Sequence, residues 1–342
     1  MIKRLKLDKY SALYLWLLFM LWFGITKHDT FLSQATFKLV IQENVIIGVL
    51  ALAFLVPLAT GTFDLAIGAN MSMALVIITK LAQHKTVPEV PAMIIAILAC
   101  AFGGFISGFF VVKLKVNSFI ATLGMSQVIS AVILRTSEQS INSVLSKGFQ
   151  DIGHKPLFGY AHYVYYMLIL AGVIWFVFEH TPVGRYMFAT GGNPEAARLA
   201  GVRTDRLVWG SLVASGAIGG FAGVIYAWKV GNYAQSVGPA YLFPAIAAVF
   251  FGASQLKGRA NVWGTLIALY ALSFGIYGLH LTFSNSKWID PLFQGVSLLA
   301  AVSLASRTYV VKLRKRTTQV VDEPVADAPG AAEAAAAPEP AG

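Results

Sequence analysis

Residue patterns that carry catalytic chemistry are missing from this sequence. It has no GxxxxGK(S/T) loop for nucleotide phosphates, no HExxH or CxxC pair for a metal, and no GxSxG nucleophile motif. The six histidines fall in loops or at the ends of apolar runs, without the spacing of metal ligands. We therefore expect a chain that is not an enzyme, that binds no metal or cofactor of its own, and that belongs to the broad class of transport proteins.

One acidic side chain, Asp64, stands out within the stretch GTFDLAIG between Gly61 and Gly68. A carboxylate beside an apolar segment is costly, and such acids usually face a cavity or a partner. The flanking glycines allow a helix to begin or break here, so Asp64 could cap the free N–H groups of the next span. The sequence leaves two interpretations open: an N-cap near the inner membrane boundary, or a discontinuous helix that faces a substrate path.

Other polar side chains interrupt two further apolar runs. Asn44 ends a polar trio at 42–44, and Thr122 and Gln127 lie within another run. Such groups can hydrogen-bond a polyhydroxylated solute, or they can hydrogen-bond neighbouring helices to each other. Together with Asp64, these three residues are the candidates for a substrate path.

The longest polar loop, residues 181–206, carries the signals of a short exposed helix. Asn193 is a good N-cap, Pro194 suits the first helical position, and Gly201 is placed to end the helix. We predict a helix over 195–199 that lies outside the bilayer. Such a helix between two spans is typical of a docking element for a partner, although an amphipathic linker on the lipid headgroups is the alternative.

The charges within this predicted helix support its formation. Glu195 lies in the first turn, where a carboxylate complements the helix dipole. Arg198 follows three residues later, at the spacing of an intrahelical ion pair.

The composition says what kind of molecule must position these residues. The chain has 342 residues, of which 57% are hydrophobic and only 12% charged, and its mean hydropathy is +0.67. So little charge cannot cover a soluble globule of this size, which argues against a soluble enzyme and against a nucleic-acid-binding module despite a net charge of +10. The lone Cys100 lies in an apolar run and has no second cysteine to pair with. We expect an all-α polytopic membrane protein.

Apolar runs of spanning length divide the chain into membrane segments. A spanning helix needs roughly 20 mainly apolar residues. This criterion predicts about ten transmembrane helices, near residues 11–26, 39–59, 65–82, 91–112, 118–135, 162–179, 207–228, 242–256, 262–281 and 289–306.

The basic residues fix the predicted orientation. With both termini in the cytoplasm, 17 of the 26 lysines and arginines fall on the inner side, as the positive-inside rule requires. The predicted organisation is a basic cytoplasmic N-terminus at 1–10, a transmembrane domain at 11–306, and a C-terminal tail at 307–342. The end of that tail is rich in Ala, Pro and acids and is expected to be disordered.

Three sequence segments resemble one known family. The loop GRYMFATGGNPEAARLAGV at 184–202 is similar to the cytoplasmic coupling loop of sugar-importing ABC permeases. The segments GTFDLAIGANMSMA at 61–74 and FIATLGM at 119–125 resemble two further signatures of that family, in the same order. The family groups ribose, xylose, galactose and arabinose permeases and, more distantly, branched-chain amino-acid permeases. The resemblance runs from about residue 40 to residue 306.

The resemblance implies a type II-like ABC importer permease of ten helices in the bacterial cytoplasmic (inner) membrane. It implies a homodimer, or a heterodimer with a second permease, surrounded by membrane lipid. ATP-binding cassette subunits would bind ATP and Mg and dock on the loop, and a sugar-binding protein would deliver a monosaccharide, either a pentose or a hexose. The alternative is a stand-alone secondary transporter or channel for a small polar solute.

The resemblance also assigns residues to roles, motif by motif. The coupling helix and its flanks would include Gly192, Asn193, Glu195, Ala196, Ala197, Arg198 and Gly201. The family signatures would include Gly61, Asp64, Leu65, Gly68, Thr122, Leu123 and Gly124.

One hairpin departs from the family pattern. Where the family usually has a Gly-Gly pair and then a Gly-Gly-Arg-Gly turn, this chain has Phe251-Gly252-Ala253 and then Lys257-Gly258-Arg259-Ala260. Because Phe250 and Phe251 are bulky, we expect this hairpin to be loosely packed.

Overall fold

The computed structural model describes residues 7–83, 87–137, 145–232, 237–253, 259–283, 286, 288–299 and 303. The elements in chain order are α1 Leu7–Thr26, α2 His28–Phe31, α3 Gln34–Glu43, α4 Val45–Ala59, α5 Ile67–Gln83, α6 Glu89–Val112, α7 Ser118–Thr136, α8 Lys147–His154, β1 Pro156–Leu157, β2 Tyr160–Ala161, α9 His162–His180, α10 Pro182–Gly192, α11 Pro194–Leu199, α12 Thr204–Val230, α13 Val237–Ala253 and α14 Val262–Thr282. The strands β1 and β2 form an antiparallel hairpin, and residues 289–299 form a further helical segment. The predicted tail over 307–342 lies outside the described residues.

Helix covers part of every apolar segment that the sequence predicts. Five helices, α6, α7, α9, α12 and α14, are individually long and apolar enough to cross a membrane. The pair α3 and α4 passes the same test as one bent span, while Ala12–Thr26, α5 and α13 are shorter apolar helices. The prediction of an all-α polytopic membrane protein is thus confirmed, with five or six helices of spanning length among the described residues.

The helix α12 is the centre of the bundle and packs along α4, α5 and α6. Glycines spaced four apart share one helix face, and small residues there let helix backbones approach. Gly216 and Gly220 of α12 lie against Cys100 of α6, while Gly219 and Gly223 lie against the first turns of α5. A Cβ atom at any of these glycines would collide with or crowd the neighbouring helix, so the glycines permit this packing.

The second predicted span is not one straight helix. α3 and α4 meet at Asn44 with a bend of 43°. The Asn44 side chain donates a hydrogen bond from Nδ2 to the carbonyl oxygen of Val40 at 2.8 Å. The span predicted over 39–59 is therefore present as a bent pair of helices, and the bend falls where an amide side chain bonds a backbone carbonyl.

The predicted loop at 181–206 contains a helix that the sequence analysis missed. Pro182 occupies the first turn of α10, and the Thr181 hydroxyl accepts a hydrogen bond from the backbone N–H of Gly184 at 3.3 Å. This is an ordinary N-cap followed by proline. Gly191 and Gly192 are the last residues of this helix.

The expectation of a loosely packed hairpin between α13 and α14 is wrong. The Phe250 ring lies 6.0 Å from the ring of Phe54 on α4 and 6.2 Å from that of Phe63, so it is packed against these aromatic side chains. Gly252 then meets the backbone of Gly264 in direct contact. Phe251 packs with Ala268 of α14 and Ala12 of α1, so its bulk is accommodated beside the glycine contact and does not hold the two helices apart.

Candidate functional site

The predicted coupling helix forms as α11, and both of its ends are capped locally. The Asn193 side chain accepts hydrogen bonds through Oδ1 from the N–H groups of Glu195 at 3.1 Å and Ala196 at 3.0 Å. At the other end Gly201 has φ +83°, and its N–H bonds the carbonyl of Arg198 at 3.0 Å. A second bond joins the next N–H to the carbonyl of Ala197 at 3.0 Å, which completes a Schellman motif. The sequence predictions of this helix, its cap and its stop are confirmed.

One face of α11 is anchored to the protein. Ala197 is buried, and Arg198 donates from Nη2 to the hydroxyl of Thr204 at 3.2 Å and to Oδ1 of Asp205 at 3.1 Å. Lys115 approaches the same carboxylate at 3.6 Å. The expected pairing of Arg198 within its own helix is therefore wrong, because Asp205 on α12 is its partner. Exposed ion pairs contribute little stability, so these bonds mainly orient α11.

The opposite face of α11 is open to solvent. Leu199 is 91% exposed, and the side chains of Glu195 and Ala196 are also exposed. An exposed leucine at the end of a capped helix provides an apolar surface, and a partner protein can bury such a surface when it binds. Leu199 was not among the residues that the sequence predicted to couple to a partner, although it is the last residue of the predicted helix.

The helix α10 connects α11 to the break before α5. Gly191, in the last turn of α10, packs against the backbone of Gly61, which has φ +78°. The preceding Thr60 hydroxyl lies 3.2 Å from the hydroxyl of Ser211 on α12. α10 and α12 thus both contact the chain where α4 ends and the non-helical segment begins.

Residues 61–66 form a non-helical segment that packs against α7, and its second half, residues 64–66, is buried. Ser118 accepts a hydrogen bond from the N–H of Phe63 at 3.1 Å, and Thr122 accepts one from the N–H of Leu65 at 3.1 Å. Irregular backbone at membrane depth requires such partners. The first residues of α5 then contact Gly219, which lies past the middle of α12. The non-helical break between α4 and α5 agrees with one part of the second interpretation that the sequence left open, while its position on a substrate path stays a prediction.

Asp64 sits inside this break and is 1% exposed. Its Oδ1 accepts a hydrogen bond from the N–H of Ala66 at 2.9 Å, the residue immediately before α5. The predicted capping of the N–H groups within α5 by Asp64 is not seen among the described residues. The hydroxyl of Ser215 on α12 faces the same carboxyl group, yet Oδ2 of Asp64 and Oγ of Ser215 both lack a hydrogen-bond partner among the described residues.

The structure brings only some of the candidate path residues together. Thr122 lies beside the break that holds Asp64, and Gly68 packs against the backbone of Gly238 on α13. Asn44 lies at the bend between α3 and α4, bonded within its own helix. Gln127 is exposed on α7, as are the signature residues Leu123 and Gly124.

A second polar cluster surrounds the bend between α3 and α4. Lys229 at the end of α12 forms an ion pair with Glu43 at 2.7 Å, and the Tyr163 hydroxyl donates to Oε1 of Gln42 at 3.2 Å. The polar run at 42–44 stands out in the sequence. Its partners lie on α9 and α12, far away along the chain, so the sequence near residue 43 could not predict them. Among the described residues, no three His, Cys, Asp or Glu side chains are grouped to hold a metal ion.

Known proteins that this chain resembles are permease components of transport systems. Residues 39–302 match the family model of the branched-chain amino acid transport system permease component. The fructose import permease of Rhizobium meliloti is 30% identical over 82% of this chain and 81% of its own length. The galactose/methyl galactoside import permease of Haemophilus influenzae is 28% identical over 91% of this chain and 98% of its own length.

The ribose import permease of Escherichia coli K12 is 28% identical over 77% of this chain and 83% of its own length. No solved structure matches. The family model spans well over half of the chain, including α11, the break at Asp64 and the central helix α12. This chain therefore belongs to the family of branched-chain amino acid transport system permease components, the membrane subunits of import systems.

Proposed function

We propose that this chain is the permease subunit of an ATP-driven sugar importer in the bacterial inner membrane. The observation that carries the proposal is α11, which is capped at both ends, presents Leu199 to solvent, and connects through Gly191 to the break at Asp64. A rigid exposed helix joined to a broken membrane helix can transmit movement of a docked subunit into the bundle. The resemblance of three motifs to sugar-importing ABC permeases supports the same conclusion.

The proposed substrate is a monosaccharide. The relatives named above import fructose, galactose or methyl galactoside, and ribose. A sugar-binding protein would deliver the substrate to the outer end of the bundle. Selection among pentoses and hexoses would rest largely on that separate protein.

The proposed topology has ten spans with both termini in the cytoplasm. Helix within each of the ten predicted segments supports this number, and the excess of lysine and arginine on the predicted inner side supports the orientation. In this arrangement α11 faces the cytoplasm, while the cluster of Glu43 and Lys229 faces outward. Two permease chains, identical or related, would form the translocation path between them.

The proposed mechanism is alternating access driven by partner ATPase subunits, which hold ATP and Mg. Closure of the ATPase pair on ATP would move α11 as a rigid body, and α10 would carry that movement to residues 60–66. The tilt of the bundle would then change the side from which the solute path is open. The difference in ATP affinity between the two states, rather than sugar binding, drives the shift.

The test is reconstitution of the permease with its ATPase and binding protein in proteoliposomes. Leu199→Asp places a charge on the proposed docking surface, and we expect it to reduce ATPase co-purification and sugar uptake by about tenfold or more. Leu32→Asp is the matched control, because Leu32 is 49% exposed near α2, on the predicted outer side. ATP-independent uptake by the purified permease alone would favour the stand-alone transporter and overturn the proposal.

A further inference from the structure

Two apolar grooves lie on either side of one ridge of α12. The groove toward α6 has a volume of about 490 Å³ and includes Phe105 in its wall. The groove toward α9 and α10 has a volume of about 480 Å³ and includes Val173. Arg206, Gly210 and Ala214 line both grooves, so the two spaces are separated only by this ridge.

The ridge has the length of one membrane leaflet. Its members are four residues apart and therefore stack on one helix face. From Arg206 to Ile218, which also lines the second groove, the helix rises by about 18 Å. Half of a hydrocarbon core is roughly 15 Å. A Cβ atom at Gly210 would meet no other atom within 4 Å, so this protein leaves the middle of the ridge uncovered.

The side chain of Arg206 lies at one end of both grooves and carries a positive charge. Arg206 is exposed in the first turn of α12, and its guanidinium has no ion pair or hydrogen bond among the described residues. The neighbouring Asp205 is already engaged by Arg198 at 3.1 Å and by Lys115 at 3.6 Å. Next to Arg206, Trp209 donates from Nε1 to the carbonyl oxygen of Phe105 at 3.0 Å, as a tryptophan does at a membrane interface.

We propose that this ridge binds one anionic phospholipid from the leaflet on the side of α11. One acyl chain would lie in each groove, and the phosphate would accept hydrogen bonds from the Arg206 guanidinium. Arginine suits this role because its planar donors match two phosphate oxygens at once. Two apolar grooves that end at a single unpaired cation correspond to the two chains and one phosphate of such a lipid.

A second copy of the chain fits this surface less well. It would have to bring an acidic residue to Arg206, and the acids described at this end of the bundle are engaged or face elsewhere. Asp205 is paired as above, Glu179 accepts from Arg259 at 2.9 Å, and Asp64 is buried. Glu195 lies on α11, the proposed surface for the ATPase. A phospholipid supplies the missing negative charge without any of them.

The experiment is native mass spectrometry of the assembled importer, titrated with phosphatidylglycerol or with phosphatidylcholine of the same acyl chains. We expect the wild-type complex to bind phosphatidylglycerol in preference to phosphatidylcholine. Arg206→Gln should weaken phosphatidylglycerol binding by about tenfold, the loss of one charge-assisted contact. Gly210→Leu should also displace the lipid, because its side chain fills the open space between the grooves.

Two variants serve as matched controls. Arg135→Gln removes an exposed arginine at the other end of the bundle, in the last turn of α7. Gly172→Leu adds the same bulk on α9 at a glycine with open space that lines neither groove. Equal binding of both lipids by the wild type, or equal losses in Arg206→Gln and Arg135→Gln, would overturn the proposal. Disulfide-linked dimers of Ala217→Cys in native membranes would do so too, since a second copy would then cover the ridge.

Discussion

Gly61 and Gly191 lie in backbone contact, so that a Cβ atom on Gly61 would stand 3.1 Å from the Cα of Gly191. Gly191 lies two residues before Asn193, the N-cap of α11, and Gly61 begins the segment that leads to Asp64. Because the two backbones touch directly, without side chains between them, one segment cannot shift toward the other without displacing it. This contact is therefore the point where movement of α11 should reach the membrane helices.

Replacing Gly191 by alanine tests that contact. A Cβ atom there would stand 2.6 Å from the carbonyl oxygen of Ala59, so the two segments must separate. Overpacking of this kind typically costs about 1–3 kcal/mol. We expect Gly191→Ala to keep ATPase binding but to lower sugar-stimulated ATP hydrolysis, measured with the reconstituted importer.

The adjacent glycine provides the control for this prediction. A Cβ atom at Gly192 meets nothing within 4 Å, although the residue is next in sequence. Gly192 belongs to the predicted coupling segment, but an added methyl group there displaces no neighbour, so Gly192→Ala should lower stimulated hydrolysis much less than Gly191→Ala does. Full stimulation in Gly191→Ala would show that the glycine contact does not transmit the movement.

The left-handed conformation at Gly201 leads to a second prediction. At φ +83° a residue with a Cβ atom is strained, by roughly 1–2 kcal/mol for alanine. Gly201→Ala should therefore loosen the last turn of α11 and weaken ATPase binding by up to about tenfold. Asparagine tolerates this conformation better, so Gly201→Asn should lose less. Binding can be measured by co-purification, and hydrogen exchange over residues 194–202 reports the helix directly.

A larger loss of ATPase binding in Gly201→Asn than in Gly201→Ala would contradict the role assigned to the left-handed conformation of Gly201. If Gly201→Asn weakened binding more than Gly201→Ala, the glycine would matter for the space it leaves rather than for its backbone conformation. The open surroundings of Gly201 argue against that outcome, because a Cβ atom there meets nothing within 4 Å.

Local signals explain which parts of this protein could be predicted from sequence. Asn193, Pro194 and Gly201 act on their own neighbours, so α11 and its caps were predictable. The spans were predictable because hydropathy is a property of each segment alone. The bend at Asn44 could not be predicted, because the sequence does not show which backbone or side-chain group an asparagine in a helix will hydrogen-bond.

Contacts between segments that are far apart in the sequence could not be predicted, because no residue pattern indicates which segments will meet. Arg198 was expected to pair within its helix, but Asp205 offers a carboxylate across the Schellman turn. Phe250 and Phe251 were expected to hold α13 away from α14, and only the packing shows that Phe250 points toward Phe54. The contact of Gly61 with Gly191 joins residues 130 positions apart in the sequence, and neither glycine indicates its partner.

Thr122 gives the third prediction, on the break itself. Its hydroxyl accepts from the N–H of Leu65 at 3.1 Å and donates to the carbonyl of Ser118 at 2.8 Å. Thr122→Val keeps the shape but leaves the buried N–H of Leu65 without an acceptor, which costs about 1–3 kcal/mol. We expect a lower melting temperature in detergent and reduced uptake, whereas Thr122→Ser keeps the hydroxyl and should retain most of both. If the valine variant melted like the wild type, the segment 61–66 would be held by other contacts.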